Sequence, residues 1–328
     1  MKSLQILESL RHPNGLFSAS SQTVSTGYDK AWIRDNIYEA IGLEAVDPFM
    51  AVRTYHALLD ILIKHESKID WAIKAKPAYA YQYIHARFDA HSMSEIWEEW
   101  GNKQNDAIGA ILFKVADLMD KGFAVIRDKN DLRILQKLVL YLASIEYWHD
   151  RDNGIWEENE EVHASSVGAC VAGLMKISAY VDVPQWLIEE GKRKLDELLP
   201  RESETKDVDL ALLSLIYPYD IVTEKQKEDI LKNVEEKLLR NRGVIRYIGD
   251  AYYNEGGEAE WCFGIPWLAI IYRNMGNMAK YRFYMQKTVD AMNDNDELPE
   301  LYFAGTDEHN ENSPLGWAQA MFLVAVNG

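Results

Sequence analysis

The chain has 328 residues, 48% of them hydrophobic, and its 52 Asp and Glu against 35 Lys and Arg give a net charge of −17. That acidity repels phosphate backbones and anionic lipid surfaces, which argues against nucleic acid or a membrane as partner, and no apolar run approaches membrane-spanning length. The length supports a large core, and one domain over 1–328 is expected because repetitive helical architectures stay undivided at this size.

Segment 1–10 has Glu8 inside its apolar run and lacks a small-residue cleavage site. Cys170 and Cys262 sit in apolar helical patterns without metal-ligand spacing, so buried free thiols in a reducing, cytoplasmic setting are expected. Apolar residues recur with the period of a helix almost throughout. The pattern predicts helices at 2–10, 34–45, 47–65, 104–120, 131–147, 163–180, 184–199, 206–217, 223–240, 258–274, 276–293 and 314–327. Asp47 before Pro48 reads as an N-cap with proline at the first helical position, and Thr223 with Gln226 reads as a capping box. Leu132, Leu135, Leu138, Val139, Leu142 and Ile145 trace one helical face, and Val167, Val171, Leu174 and Ser178 trace another.

Twelve helices with alternating short and long connections predict an all-α fold, an (α/α)6 barrel. Six largely apolar helices would stand inside six amphipathic ones, with a pocket made by loops at one end. Segments 12–33, 67–103, 148–162, 241–257 and 294–313 are too long for plain connections and hold most of the distinctive residues.

Two of those segments carry carboxylates. Trp156-Glu157-Glu158 lies in one and Leu298-Pro299-Glu300-Leu301 in another. A pair of carboxyls from separate loops suits glycoside hydrolysis, where one donates a proton to the leaving oxygen and the other activates water or attacks the sugar. Among 52 acidic residues a Glu-Glu pair is ordinarily solvated surface, so the surroundings decide. Ten Trp and 18 Tyr supply flat apolar faces that pack a core or stack on sugar rings.

Five segments together resemble glycoside hydrolase family 15, the glucoamylase family, and the homologous domains of the phosphorylase kinase α and β subunits. Tyr28-Asp29-Lys30-Ala31-Trp32-Ile33-Arg34-Asp35-Asn36 is similar to the family's Trp-x-Arg-Asp segment, which implies that Trp32, Arg34 and Asp35 hold the terminal glucose. A guanidinium with fixed donors beside a carboxylate that accepts from two hydroxyls reads such a pattern well. Trp100-Gly101-Asn102-Lys103-Gln104-Asn105-Asp106 resembles the Trp-Gly-x-x-Gln-x-Asp stretch that opens an inner helix, implying a stacking Trp100 and pocket-facing Gln104 and Asp106. Helix capping by Asn102 or Asp106 is the plainer reading of the same residues.

Gly154-Ile155-Trp156-Glu157-Glu158 resembles the general-acid loop, with Glu157 as proton donor and Trp156 and Glu158 on the substrate. Gly243 to Asp250 resembles an Arg-Tyr pocket loop, with Arg246 on sugar hydroxyls. Leu298-Pro299-Glu300-Leu301 and the helix that contains Trp317 resemble the general-base loop and final inner helix, with Glu300 as base, Trp317 at the substrate, and Glu297 and Glu308 as alternatives to Glu300. Leu301 departs from the family, whose hydrolases often have a polar residue there.

The resemblance implies an inverting, exo-acting α-glucosidase that releases β-glucose from short α-glucosides, with carboxyls roughly 6.5–9.5 Å apart to admit water. It implies no metal and no organic cofactor. With room for the barrel and no accessory β-sandwich or starch-binding domain, the expected substrate is a disaccharide or small oligosaccharide rather than a long polymer. A lone barrel would bury exposed apolar surface in a homodimer. The alternatives are a trehalase of the same family, a non-catalytic sugar-binding or regulatory domain of the kinase-subunit type, and another barrel enzyme such as an epimerase or lyase.

Overall fold

The computed structural model describes residues 2–21, 23–98 and 100–328. Among them the helices are α1 (Lys2–Leu10), α2 (Ile33–Glu44), α3 (Pro48–Lys64), α4 (Glu66–Ala75), α5 (Asn105–Asp120), α6 (Lys129–Ile145), α7 (Ala164–Ile177), α8 (Gln185–Leu198), α9 (Glu224–Asn233), α10 (Gly264–Asn274), α11 (Met278–Asp290) and α12 (Gly316–Asn327). Strands β1 (Ala31–Trp32) and β2 (Arg87–Phe88) form one short antiparallel pair, and β3 (Glu260–Trp261) and β4 (Leu301–Tyr302) form another.

Helix packing closes a ring. α2 packs on α5, α5 on α7, α7 on a 3-10 turn at Leu210–Leu215, that turn on α10, α10 on α12, and α12 back on α2. Outside it, α1 covers α12, α3 covers α2, α6 covers α5, α8 covers α7, α9 covers the 3-10 turn, and α11 covers α10. This is the (α/α)6 barrel. The inner members are apolar nearly all round, as in Ala164–Ile177 with Val167, Val171 and Leu174 buried, whereas outer helices such as α8 and α9 bury one stripe. α5 and α7 lie so close that a Cβ on Gly109 would collide with the backbone of Ala169 and Cys170.

Two expected elements differ. The helix expected at 206–217 is a 3-10 turn of six residues, all buried, that nonetheless occupies the fourth of the six inner positions. The connection expected at 67–103 contains most of α4, which packs on α6 outside the double ring. The count of twelve is therefore reached with a different membership. The helix expected from 258 begins at Gly264, because Glu260 and Trp261 pair with β4. The expected caps are present: Asp47 accepts from the Phe49 amide at 3.0 Å, and Thr223 and Gln226 form a reciprocal capping box. Cys170 and Cys262 are buried free thiols. No described helix is long and apolar enough to cross a membrane.

The barrel's polarity positions the site. All six inner elements begin at the same end, where Arg34, Gln104, His163, Asp209, Phe263 and Leu315 stand at or next to their N-termini. Unpaired amides and the positive ends of the helix dipoles converge there, which favours buried carboxylates at that mouth.

Candidate active site

A cavity opens at this end of the barrel. Its walls include Trp32, Arg34, Asp35, Trp156, Glu157, Arg246, Glu300 and Trp317, eight residues singled out from the sequence, and also Tyr28, Trp261 and Phe263. Gln104, Asp106, Trp100 and Glu158 stand behind or beside the walls and hold the residues that form them.

Glu157 tips a tight hairpin. Asp152 and Glu161 exchange backbone hydrogen bonds at 2.8 and 2.9 Å, and the Asn153 side chain donates to the Glu158 carbonyl at 2.6 Å. Glu157 itself is left-handed at φ 63, a conformation an L residue adopts only when its surroundings enforce it. Its Oε1 accepts from Arg34 Nη2 at 3.0 Å and Gln104 Nε2 at 2.9 Å, and its Oε2 accepts from the Trp100 indole. Arg34 also donates to Gln104 at 2.8 Å and reaches Asp106 at 3.3 Å. Burial works against the Arg34 charge, but Asp106, Glu157 and Asp35 hold its pKa above the ordinary value. Asn102 and Asp106 do not cap α5; the Asn105 amide donates to Asp152 at 2.8 Å instead, tying α5 to the hairpin.

Asp35 is buried in the wall, and burial, opposed by Arg34 and aided by the charges of Glu157 and Glu300, pushes it up to about 7. Among the described residues it has no side-chain hydrogen-bond partner, so its oxygens are available to a ligand. Glu300 is wholly buried, with its backbone fixed between Cys262 and Asn312. Tyr28 Oη donates to its Oε1 at 2.6 Å, while Asn312 at 2.8 Å and Asn310 donate to its Oε2. Burial raises its pKa while those three donors and Arg246 oppose the rise. The apolar neighbour Leu301 is explained by β4, where it pairs with Trp261 and is fully buried. Glu297 pairs with Lys2 away from the cavity and Glu308 is exposed on a turn, so neither alternative reaches the site.

Arg246 lies over Trp261 at 4.7 Å and Trp156 at 5.4 Å, clamped by Asp250 through bonds of 2.7 and 2.6 Å. It also donates to Glu158 at 2.6 Å, and that carboxylate accepts from Tyr247 at 2.6 Å and Lys206 at 3.0 Å. Burial disfavours the Glu158 charge, but Arg246 and Lys206 hold its pKa below the ordinary value. Trp317 closes the floor, stacked on Tyr38 at 4.4 Å and Phe263 at 4.6 Å, and Trp156 is anchored by Asp209 at 2.7 Å.

The sequence reading missed Tyr28, Trp261, Phe263, Asn310 and Asn312 as site residues. Tyr28 and Asn312 stand in segments already singled out, and only the pairing of those segments in space reveals the shared carboxylate. Among the described residues no cluster of His, Cys, Asp and Glu could hold a metal ion. The site therefore presents two carboxyls in contrasting settings, one held by charged and polar donors and one by neutral donors, across a cavity floored by aromatic rings.

The family model for glycosyl hydrolases family 15 matches residues 3–325, and the chain belongs to that family. A wild-type glycosidase superposes with a TM-score of 0.83 at 18% identity, over 99% of this chain and 94% of that one. The glucoamylase of Saccharomycopsis fibuligera superposes with a TM-score of 0.74 at 14% identity, over 98% and 92%. At such identities the superpositions establish the fold. Curated relatives include a probable phosphorylase b kinase regulatory subunit alpha of Caenorhabditis elegans and the skeletal muscle isoform of that subunit from Oryctolagus cuniculus, each 24% identical over 90% of this chain. The chain spans 30% of the length of these relatives.

Proposed function

We propose that this chain is an inverting, exo-acting α-glucosidase that releases β-glucose from short α-glucosides, with Glu157 as general acid and Glu300 as general base. The observation that carries this reading is that these two carboxyls, from loops far apart in the chain, line one cavity together with the Arg34-Asp35 pair. Glu300 accepts three hydrogen bonds from neutral donors, which fix its orientation and oppose the effect of burial on its charge, as a base that takes a proton from water requires. Glu157 is oriented by Arg34 and Gln104, and sugar hydroxyls that engage Arg34 and Asp35 would draw the guanidinium from Glu157 and free it to carry a proton.

The cavity suits one sugar ring. Trp317 and Trp156 offer apolar faces, while Arg34, Asp35 and Arg246 offer fixed donors and acceptors. The indole N–H groups of Trp32, Trp261 and Trp317 are buried and have no protein partner among the described residues, as expected where a hydroxyl-rich ligand completes the hydrogen bonding. Proton transfer between these two carboxyls, sugar and water needs no metal or organic cofactor.

A second reading is supported by the names of the curated relatives: a barrel that binds a glucoside or a protein without turning it over. Incubation with α-linked glucose disaccharides separates the two, since turnover abolished by Glu157→Gln supports the hydrolase, and binding without turnover supports the regulatory reading.

A further inference from the structure

We propose that Arg87 is a positioning residue for Glu157, acting through Trp100. Its catalytic consequence rests on the hydrolase reading; its structural consequence does not. Pairing of β1 with β2 puts Arg87 opposite Trp32, and the guanidinium lies over two indole rings at once, 5.4 Å from the Trp32 centroid and 4.5 Å from that of Trp100.

The burial of Arg87 is otherwise poorly compensated. The residue is 1% exposed, yet its one carboxylate partner among the described residues is Glu98 at 3.2 Å, whose side chain is 70% exposed, and its Nε has no partner among them. An ion pair to so exposed a carboxylate contributes little. The two ring faces are what stabilise the cation, and the stack acts back on the rings. A cation over the indole draws electron density from its nitrogen and strengthens the N–H as a donor. The Trp100 N–H donates to Glu157 Oε2, while Arg34 and Gln104 hold Oε1 at 3.0 and 2.9 Å.

Each oxygen of the candidate acid thus has its own support, and Arg87 governs one of them without lining the cavity. Trp100 is 37% exposed and meets Trp32 edge-on at 6.2 Å, so without the guanidinium its N–H to Glu157 is left to hold a ring that one face no longer supports.

The test compares the unaltered chain with Arg87→Met and Arg87→Lys, by steady-state kinetics on an α-glucose disaccharide and by the indole N–H resonances of 15N-Trp-labelled protein, with Trp100→Phe for assignment. Arg87→Met is expected to lower kcat roughly three- to ten-fold with KM nearly unchanged, and Arg87→Lys to recover part of the loss. The Trp100 resonance should move toward the position of a free indole in the Met variant and partly back in the Lys variant. An unmoved Trp100 resonance in Arg87→Met overturns the proposal. If the unaltered chain turns over no sugar, the hydrolase reading fails and the resonance still decides the role of Arg87. Should Arg87→Met not fold, Arg87→Lys carries the test, with a smaller shift supporting the proposal and none overturning it.

Discussion

Tyr28 and Glu300 lie 272 residues apart in the chain and meet at 2.6 Å, the phenol donating to the carboxylate. The contact closes the barrel's first loop on its last and fixes the orientation of the candidate base. Burial, with the Glu300 charge beside it, holds the Tyr28 pKa well above the ordinary value, so the hydroxyl stays a donor.

Tyr28→Phe removes that donor and leaves the ring. A hydrogen bond to a charged group contributes roughly 1.5–3 kcal/mol, so kcat should fall about 10- to 100-fold while KM changes little. Steady-state kinetics on a disaccharide substrate checks this, and an equal rise in KM would instead make Tyr28 a simple sugar contact.

Asp35 sits at about 7 in the free protein against 3.8 for an exposed carboxyl. Between those values the folded chain holds more protons than the unfolded one, so this group's contribution to stability falls as pH rises from about 4 to about 7. Asp35→Asn should therefore melt about one to several degrees higher than the unaltered chain at pH 8 and lose sugar binding. Since sugar hydroxyls favour the carboxylate, glucose affinity in the unaltered chain should strengthen as pH rises through about 7. Calorimetric melting and binding titrations at several pH values measure both effects.

His163 meets the Glu157 hairpin at the Asn159 carbonyl, 3.4 Å from its Nε2, and its Nδ1 lies 3.4 Å from Glu202. Burial opposes its charge, but Glu202 and Asp152 hold it up at about 9. A raised histidine stabilises fully below its unfolded value near 6.5, and that contribution is lost as pH rises through about 9. Urea unfolding should show stability declining across this window, and His163→Gln should flatten the decline while lowering stability at neutral pH.

Most of the barrel was legible because its outer helices bury single stripes and its caps are local. α4 escaped because only Ile69 and Ala72 of its ten residues are buried, too few to mark a stripe. The 3-10 turn at Leu210–Leu215 was misread because every residue is buried, which erases the period that separates helix types. The candidate site was legible where a motif is contiguous, as at Trp32, Arg34, Asp35 and Glu157. Arg87 and Asn310 were invisible because each acts only through a partner that the fold brings from another segment, Trp100 for one and Glu300 for the other.

The central claim is tested most directly by following the anomeric protons of freshly released glucose by NMR. The unaltered chain, Glu157→Gln and Glu300→Gln would each be incubated with a panel of α-linked glucose disaccharides that includes trehalose. The account predicts β-glucose as the first product on at least one linkage, with the rate at least about 100-fold lower in each variant. Initial release of α-glucose, or turnover that survives both substitutions, would contradict it.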